Sequence, residues 1–355
     1  MSTKIDWADE VWNPTVGCEK VSLGCAHCYA EKWAARMVGM QAGKPGAVYN
    51  SDIVYGGRWT GNVKCLPERL DVPARWKTPR KIFVDSMSDL FHPAVPDAFI
   101  TKVFKVMEDN PQHTFMVVTK RAQRMALLDL PELPNVWLGV SVENQAAAEA
   151  RLPWLMMTPA GMRFVSCEPL LGPLDLQFWM PSEDGVGNKL DWVIAGCESG
   201  PGAREMDIEW VRSLRDQAFH ASVPFFLKQM KVAGKLVKMP RLDGTIWDEF
   251  PCRCEHAGCR RVDATEYMLR GEEDVISHLC AEHARAEGYC LSCHEWFTEE
   301  TWETGICREC TEQFNGGDED DDPEAEYPYD WDEPVVPPDD GLLLPDSIVE
   351  QGPAE

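Results

Sequence analysis

Between residues 81 and 230, six short apolar runs rich in β-branched and aromatic residues recur at intervals. They are KIFVDSMSDLF (81–91), TFMVVTKR (114–121), VWLGVSVEN (136–144), MRFVSCEPL (162–170), LDWVIAGCESG (190–200) and VPFFLKQM (223–230). The stretch PDAFITKVFKVMEDN, between the first two, carries apolar residues at helical spacing, and QAAAEARLPWLMM and IEWVRSLRDQAF fill two later gaps. Strand alternating with helix predicts βαβ units and a parallel sheet. With one more strand near Trp7–Pro14, the set predicts an α/β protein built as a full or partial (β/α) barrel. An open doubly wound sheet is the alternative. Residues 31–80 are rich in Gly, Trp and Arg and show little periodicity.

Nearly every run ends in polar residues. In order they are Asp85, Ser86, Ser88 and Asp89; Thr119, Lys120 and Arg121; Ser141, Glu143 and Asn144; Ser166 and Glu168; Glu198 and Ser199; Lys228 and Gln229. Any one of them alone reads equally well as a helix N-cap or a loop polar. Together they predict a polar active-site mouth, because parallel β/α folds build their sites at the C-terminal strand ends. The catalytic candidates there are Glu143, Glu168, Glu198 and Lys228, with Asp85 beside them.

Composition divides the chain into three parts: a barrel domain over 1–250, a cysteine-rich region over 251–311, and an acidic, Pro-rich tail over 312–355. From Thr311 onward there are 16 Asp and Glu and no Lys or Arg, so this end supplies most of the net charge of −25 and leaves −9 for the rest. Such a tail has too little apolar content to offset its ordering entropy and is expected to be disordered. Its GLLLPDSIVEQ stretch is a weak docking-helix signal. A mildly acidic folded part argues against a non-specific grip on a nucleic-acid backbone, so any such contact needs a local basic patch. No run of 18 apolar residues is present, and MSTKIDWADE has no apolar signal region, so a cytoplasmic protein without a membrane partner is expected. In a reducing compartment, the 14 cysteines point to metal rather than disulfides.

Three cysteines fall within VGCEKVSLGCAHCYAEKWAARM: Cys18, Cys25 and Cys28, just ahead of an amphipathic helical pattern. A structural zinc site takes four protein ligands. Here His27 sits between two of the cysteines, and Cys65 is distant in sequence, so a zinc knuckle needs a remote fourth ligand. Three thiolates suffice for a [4Fe–4S] cluster that keeps one iron open.

The segments WNPTVGC (Trp12–Cys18), GCAHCYAE (Gly24–Glu31), VDSMSDLFH (Val84–His92) and GTIWDEFP (Gly244–Pro251) resemble those of a phage and bacterial family grouped with radical S-adenosylmethionine (SAM) proteins. The likeness covers about 1–251. The usual radical-SAM spacing is C-x3-C-x2-C, whereas this chain has C-x6-C-x2-C, a first loop three residues longer. The resemblance implies a [4Fe–4S] cluster, S-adenosylmethionine as cofactor, a reducing electron donor, and radical chemistry through a 5′-deoxyadenosyl radical. By strand order it implies that Ser86, Ser88 and Asp89 hold the cofactor's amino group, and that Ser141, Glu143, Asn144 and Glu168 lie near its ribose and carboxylate. Some phage relatives are associated with rearrangement of hypermodified thymine in DNA. That association makes a nucleobase in DNA or a nucleotide the substrate class, and the host cytoplasm the location if a phage encodes the chain. Cys167 and Cys197 read as buried structural cysteines rather than catalytic thiols.

Two zinc sites are predicted in the cysteine-rich region. Cys290, Cys293, Cys307 and Cys310 have zinc-ribbon spacing, C-x2-C-x13-C-x2-C. Cys254, Cys259, Cys280 and His283 form C-x4-C-x20-C-x2-H, with Cys252, His256 and His278 as substitutes. Few large apolar residues lie there, so metal binding would supply the missing core energy. The zinc region is expected to dock nucleic acid or a protein rather than serve as a passive appendage, while the tail reads first as solubilising, with a protein partner as its alternative. Two other readings stand beside the radical enzyme: a non-catalytic zinc-rich binding module for nucleic acid or protein, and an Fe–S redox sensor.

Overall fold

The computed structural model describes residues 5–44, 46–181, 190–200 and 202–251 with their side chains, and the backbone of three short strands at Thr265–Leu269, Val275–Leu279 and Glu295–Trp296. Those three form one small sheet, the middle strand being Thr265–Leu269. Cys254, Cys259, Cys280, His283, Cys290, Cys293, Cys307 and Cys310, the two predicted zinc sets, lie outside the described residues, as does the acidic tail.

Eight strands make the main sheet: β1 (Glu10–Trp12), β2 (Lys81–Val84), β3 (Thr114–Thr119), β4 (Val136–Ser141), β5 (Met162–Cys167), β6 (Trp192–Gly196), β7 (Phe225–Val232) and β8 (Lys235–Lys238). They lie side by side in chain order, parallel from β1 to β7, with β8 folded back antiparallel on β7. A doubly wound sheet reverses its strand order at a switch point. This one never reverses and curls as a partial (β/α) barrel, one of the two barrel forms the sequence pattern predicts. Its two edges are not laddered together, but Lys238 of β8 reaches Asp6, just ahead of β1, at 2.9 Å.

The longer helices are α1 (Tyr29–Gln41), α2 (Asp97–Glu108), α3 (Ala122–Leu127), α4 (Gln145–Met157) and α5 (Ile208–His220), and a single helical turn spans Val72–Arg75. All of the longer helices but α3 follow a helical pattern read in the sequence. In α2, Phe99, Ile100, Val103, Phe104 and Met107 are buried, the stripe expected of a helix laid on a sheet. Asn144 caps α4 by accepting from Ala147 N, and Asp207 caps α5 by accepting from Glu209 N. The link from β5 to β6 carries only a 3-10 turn, Gln177–Trp179, among its described residues. The closing stretch runs back along the first half of β7, with Leu227 N donating to Trp247 O at 2.8 Å.

Alternation along the strands creates two faces. Phe115, Val117, Val165, Val193 and Ala195 join the core under the helices. Met116, Phe164, Trp192, Ile194 and Phe226 turn the other way, into the concave side, with Trp7. Trp192 is the hub of this inner plug, with Phe250, Phe164, Trp137, Phe226 and Trp7 at centroid distances of 5.2, 5.7, 5.9, 6.0 and 6.4 Å. Packing is tight enough to require a glycine: a Cβ on Gly139 of β4 would stand 2.7 Å from the Phe164 ring. Gly139→Ala is therefore expected to cost about 1–3 kcal/mol, the usual penalty for overpacking. A urea titration reads it, and an unchanged midpoint would show that the plug yields freely.

Candidate functional site

The aromatic plug stops short of the strand ends, and a pocket opens where β2, β3, β4 and β5 finish, beside Lys228 midway along β7. Cys18, Cys25 and Cys28 all line it, together with Ser86, Ser88, Asp89, Ser141, Glu168 and Lys228. All nine were singled out in the sequence as metal-binding, cofactor-binding or catalytic residues and are thereby brought to one cavity. Asp85, Ser166, Lys120 and Arg121 line it too. The three cysteines are free thiols, and each is partly buried. Among the described residues, no further Cys and no His lines the cavity. Cys65 pairs with Thr15 in a short side ladder, and His27 Nδ1 lies 2.7 Å from Glu198 Oε2. Among the described residues no three His, Cys, Asp or Glu side chains converge on a single ion position.

The first thiol is set by backbone geometry. Gly17 has φ +99°, and a Cβ there would run into the Asn62 carbonyl, so only glycine delivers Cys18 to the pocket. Just before it, Thr15 donates from its backbone N and its Oγ1 to the Asp85 carboxylate, at 3.1 and 2.9 Å. Ser88 Oγ lies against Thr15 Oγ1 as well. Burial pushes the Cys18 thiol up to about 12; Asp89's charge adds to this and Arg121 opposes it. A metal bound there would have to displace the proton.

Glu143, Glu198 and Asn144 are not in the pocket lining. Asn144 is the cap of α4 described above. The two carboxylates hold the cysteine loop from outside. Glu143 accepts from Gly24 N at 3.4 Å, and Arg151 Nη1 donates to it at 2.7 Å. Burial works against its ionised form, but the hydrogen bonds from Arg151 and Ser22 and the charges of Arg151 and Lys120 prevail and hold its pKa below the ordinary value. Glu198 meets His27 on one side and Arg204 on the other, and Arg204 Nη2 also donates to Leu23 O at 3.0 Å. Burial again opposes charge, and Arg204 with His27 outweighs it, drawing Glu198 down to about 2. The stretch from Leu23 to His27 is thus pinned to the ends of β4 and β6 by two charged clusters.

Inside the pocket the polar groups differ in how far they are satisfied. Asp89 is saturated: it accepts from Thr119 Oγ1 at 2.7 Å, Phe91 N at 3.0 Å, Lys120 N at 3.2 Å and Arg121 Nη1 at 3.0 Å. Ser86 Oγ donates to Asn13 Oδ1 at 3.2 Å, and its carbonyl accepts from Tyr29 at 3.0 Å. Glu168 Oε1 stands 2.8 Å from Lys228 Nζ as an ion pair without hydrogen-bond alignment, so that oxygen keeps acceptor capacity. Two buried indole N–H groups of the lining, on Trp7 and Trp59, have no hydrogen-bond partner among the described residues. Buried polar atoms left unpaired in a native fold call for an explanation, and a polar ligand is one.

Asp85 carries the clearest pH signature. Burial raises it to about 7 from 3.8, against the hydrogen bonds from Thr15 and Ser88. Because the native pKa is the higher one, folded protein retains a proton that unfolded chain releases between pH 3.8 and about 7. Stability accordingly falls as pH rises through that window and levels off above it. The difference is on the order of 4 kcal/mol at about 1.36 kcal/mol per unit. Asp85→Asn, tolerated at its φ of +59°, is expected to remove this slope. Urea midpoints of both proteins at pH 4 and pH 8 check it, and parallel profiles would refute it.

Trp7, Tyr29 and Trp59 belong to the lining but were not among the sequence candidates for the site, whereas Lys120 and Arg121 were part of the predicted strand-end mouth. Nothing in the sequence marked the aromatics. Cys167 and Cys197 are buried, and burial raises both thiols, Cys197 to about 11. A wider cleft between Gln177–Pro181 and α5 offers less, because Arg212, Asp216 and Gln217 in it are already bonded to neighbours. No described helix is long and apolar enough to cross a membrane.

A family model described as "Protein of unknown function (DUF5131)" matches residues 2–251, which spans the whole barrel. No curated protein and no solved structure matches the chain.

Proposed function

Since the chain belongs to the DUF5131 family, whose function is unknown, its activity must be read from the site, and we propose a radical S-adenosylmethionine enzyme. One observation carries this reading: three free cysteines meet at one pocket on the C-terminal strand ends, with no fourth Cys or His in the lining among the described residues. A single zinc ion needs about four donors at bonding distance, which these residues do not assemble. A [4Fe–4S] cluster held by three thiolates leaves one iron for a ligand. The chemistry such a centre supplies is one-electron reductive cleavage of S-adenosylmethionine to a 5′-deoxyadenosyl radical.

The chain's own residues then have distinct tasks. Cys18, Cys25 and Cys28 hold the cluster. Ser86, Ser88, Asp89 and Ser141 lie where the amino group, ribose and carboxylate of the cofactor would bind, and the free indole donors of Trp7 and Trp59 suit its acceptor atoms. Glu168 and Lys228 face the same space from β5 and β7 and are the charged pair available to a substrate. Trp7 and Phe83 close the floor and exclude water. Glu143 and Glu198 fit the role of loop anchors better than that of catalysts. A nucleobase in DNA or a nucleotide is the substrate class, supported by the family resemblance and by the cations Lys120, Arg121 and Lys228 at the pocket.

Metal and sulfide analysis after anaerobic purification tests the reading. About four iron and four sulfide per chain are expected, with about two zinc from the cysteine-rich region. Zinc without iron, even after anaerobic reconstitution, would overturn it and leave a metal-stapled binding scaffold.

A further inference from the structure

Arg121 stands at the start of α3, directly after β3, with its side chain only 9% exposed. Its Nη1 lies 3.0 Å from Asp89 Oδ2 and 3.9 Å from Cys18 Sγ. Asp89 is itself locked by Thr119 Oγ1 and by the backbone N of Phe91, so the guanidinium is held in one orientation. Its second arm, Nη2, is buried without a hydrogen bond and has Glu19 Oε1 at 3.5 Å as an ion-pair neighbour. Cys25 and Cys28 receive no such contact among the described residues. A guanidinium keeps its charge at any working pH. Cys18 is therefore the one thiol of the three that faces a fixed cation.

We infer that Arg121 sets the reduction potential of the centre held by Cys18, Cys25 and Cys28, raising it through its contact with the Cys18 sulfur. This rests on the proposed cluster. Hydrogen bonds to cysteine sulfur and nearby positive charge both favour the more negative, reduced state. The partial burial of the contact keeps water from screening it. Asp89 offsets part of the charge and aims the remainder at Cys18, which makes Arg121 a positioning and tuning residue rather than one that reacts. Lys120, next in sequence and lining the same pocket, has no contact with Cys18 and serves as the internal control.

The test is a redox titration of the anaerobically loaded protein, followed by the electron paramagnetic resonance of the reduced centre. Arg121→Gln is expected to disfavour the reduced form at least tenfold, a drop of about 59 mV for one electron. Arg121→Lys, which keeps charge but loses the fork, is expected between Gln and wild type, and Lys120→Gln, which removes a pocket charge without a sulfur contact, is expected to drop less than Arg121→Gln. If Arg121→Gln takes up too little iron to titrate, the drop in Arg121→Lys decides. A wild-type potential in the Arg121 variants, or an equal drop in Lys120→Gln, overturns the inference while leaving the cluster in place. A wild-type protein that takes up no iron overturns the enzyme reading and this inference with it, so the two failures are told apart by the iron assay alone.

Discussion

Cys18→Ala is expected to lose its iron and to cut S-adenosylmethionine no faster than buffer does, while its zinc content stays at the wild-type value. Among the described residues Cys18 has no substitute. Asp85 is tied to Thr15, Asp89 is saturated, Cys65 belongs to a side ladder, and His27 is turned to Glu198. Loss of an outer-shell partner of a metal ligand typically costs 10–100-fold, and loss of one of three ligands is expected to exceed that. Fold stability is expected to change little, because the thiol makes only long contacts, to Glu19 O at 3.4 Å and Arg121 at 3.9 Å. Iron analysis and a chromatographic assay for 5′-deoxyadenosine read the two arms. Retained cleavage in the variant would end the three-cysteine reading. Conversely, if cleavage and zinc were lost together with the cooperative unfolding transition, the variant would have failed to fold, and Cys25→Ala and Cys28→Ala would then carry the test.

The second large effect lies outside the pocket. Arg151→Met is expected to destabilise the protein by about 3–5 kcal/mol, because it leaves a buried carboxylate without its countercharge. The side chains of Arg151 and Glu143 are 10% and 3% exposed, so water cannot take over the pairing. Arg151 also donates to Ser141 O at 2.6 Å, which ties the end of β4 into the same cluster. The double variant Arg151→Met with Glu143→Gln is expected to recover most of the loss, since the uncompensated charge is gone. Its cysteine loop is nonetheless expected to open more readily, because Gly24 N then faces a neutral amide in place of a carboxylate. Urea denaturation measures the first effect, and amide exchange over Leu23–Cys25 the second. Equal stability of the single and double variants would show that the ion pair is not what holds this end of the sheet.

Both effects turn on contacts of very different sequence range, and that range separates what could be read early from what could not. The order and parallel sense of the strands were legible because apolar runs and helical stretches alternate, and a chain that alternates them lays its strands side by side with short connections. Partial closure was legible only as one of two barrel forms, and the unreversed strand order settled the choice against a doubly wound sheet. Residues 31–80 contributed most of α1, a helical turn at Val72–Arg75 and small side ladders, and only α1 was visible in the residue pattern.

For the site, the sequence by itself determined that polar groups gather at the strand ends and that three thiols sit in one loop. It did not determine which way those groups face. Glu143 and Glu168 each follow a strand in the same manner, yet Glu168 enters the pocket and Glu143 turns to the loop. Past the last laddered residue, strand alternation no longer dictates direction, and the nearest countercharge does: Lys228 for the one, Arg151 for the other. The Arg121–Cys18 contact spans 103 positions, and the Arg204–Leu23 contact 181. No periodicity or spacing encodes such pairs. They exist because the curled sheet brings the ends of β1, β3 and β6 round a common axis, and only the tertiary structure supplies that.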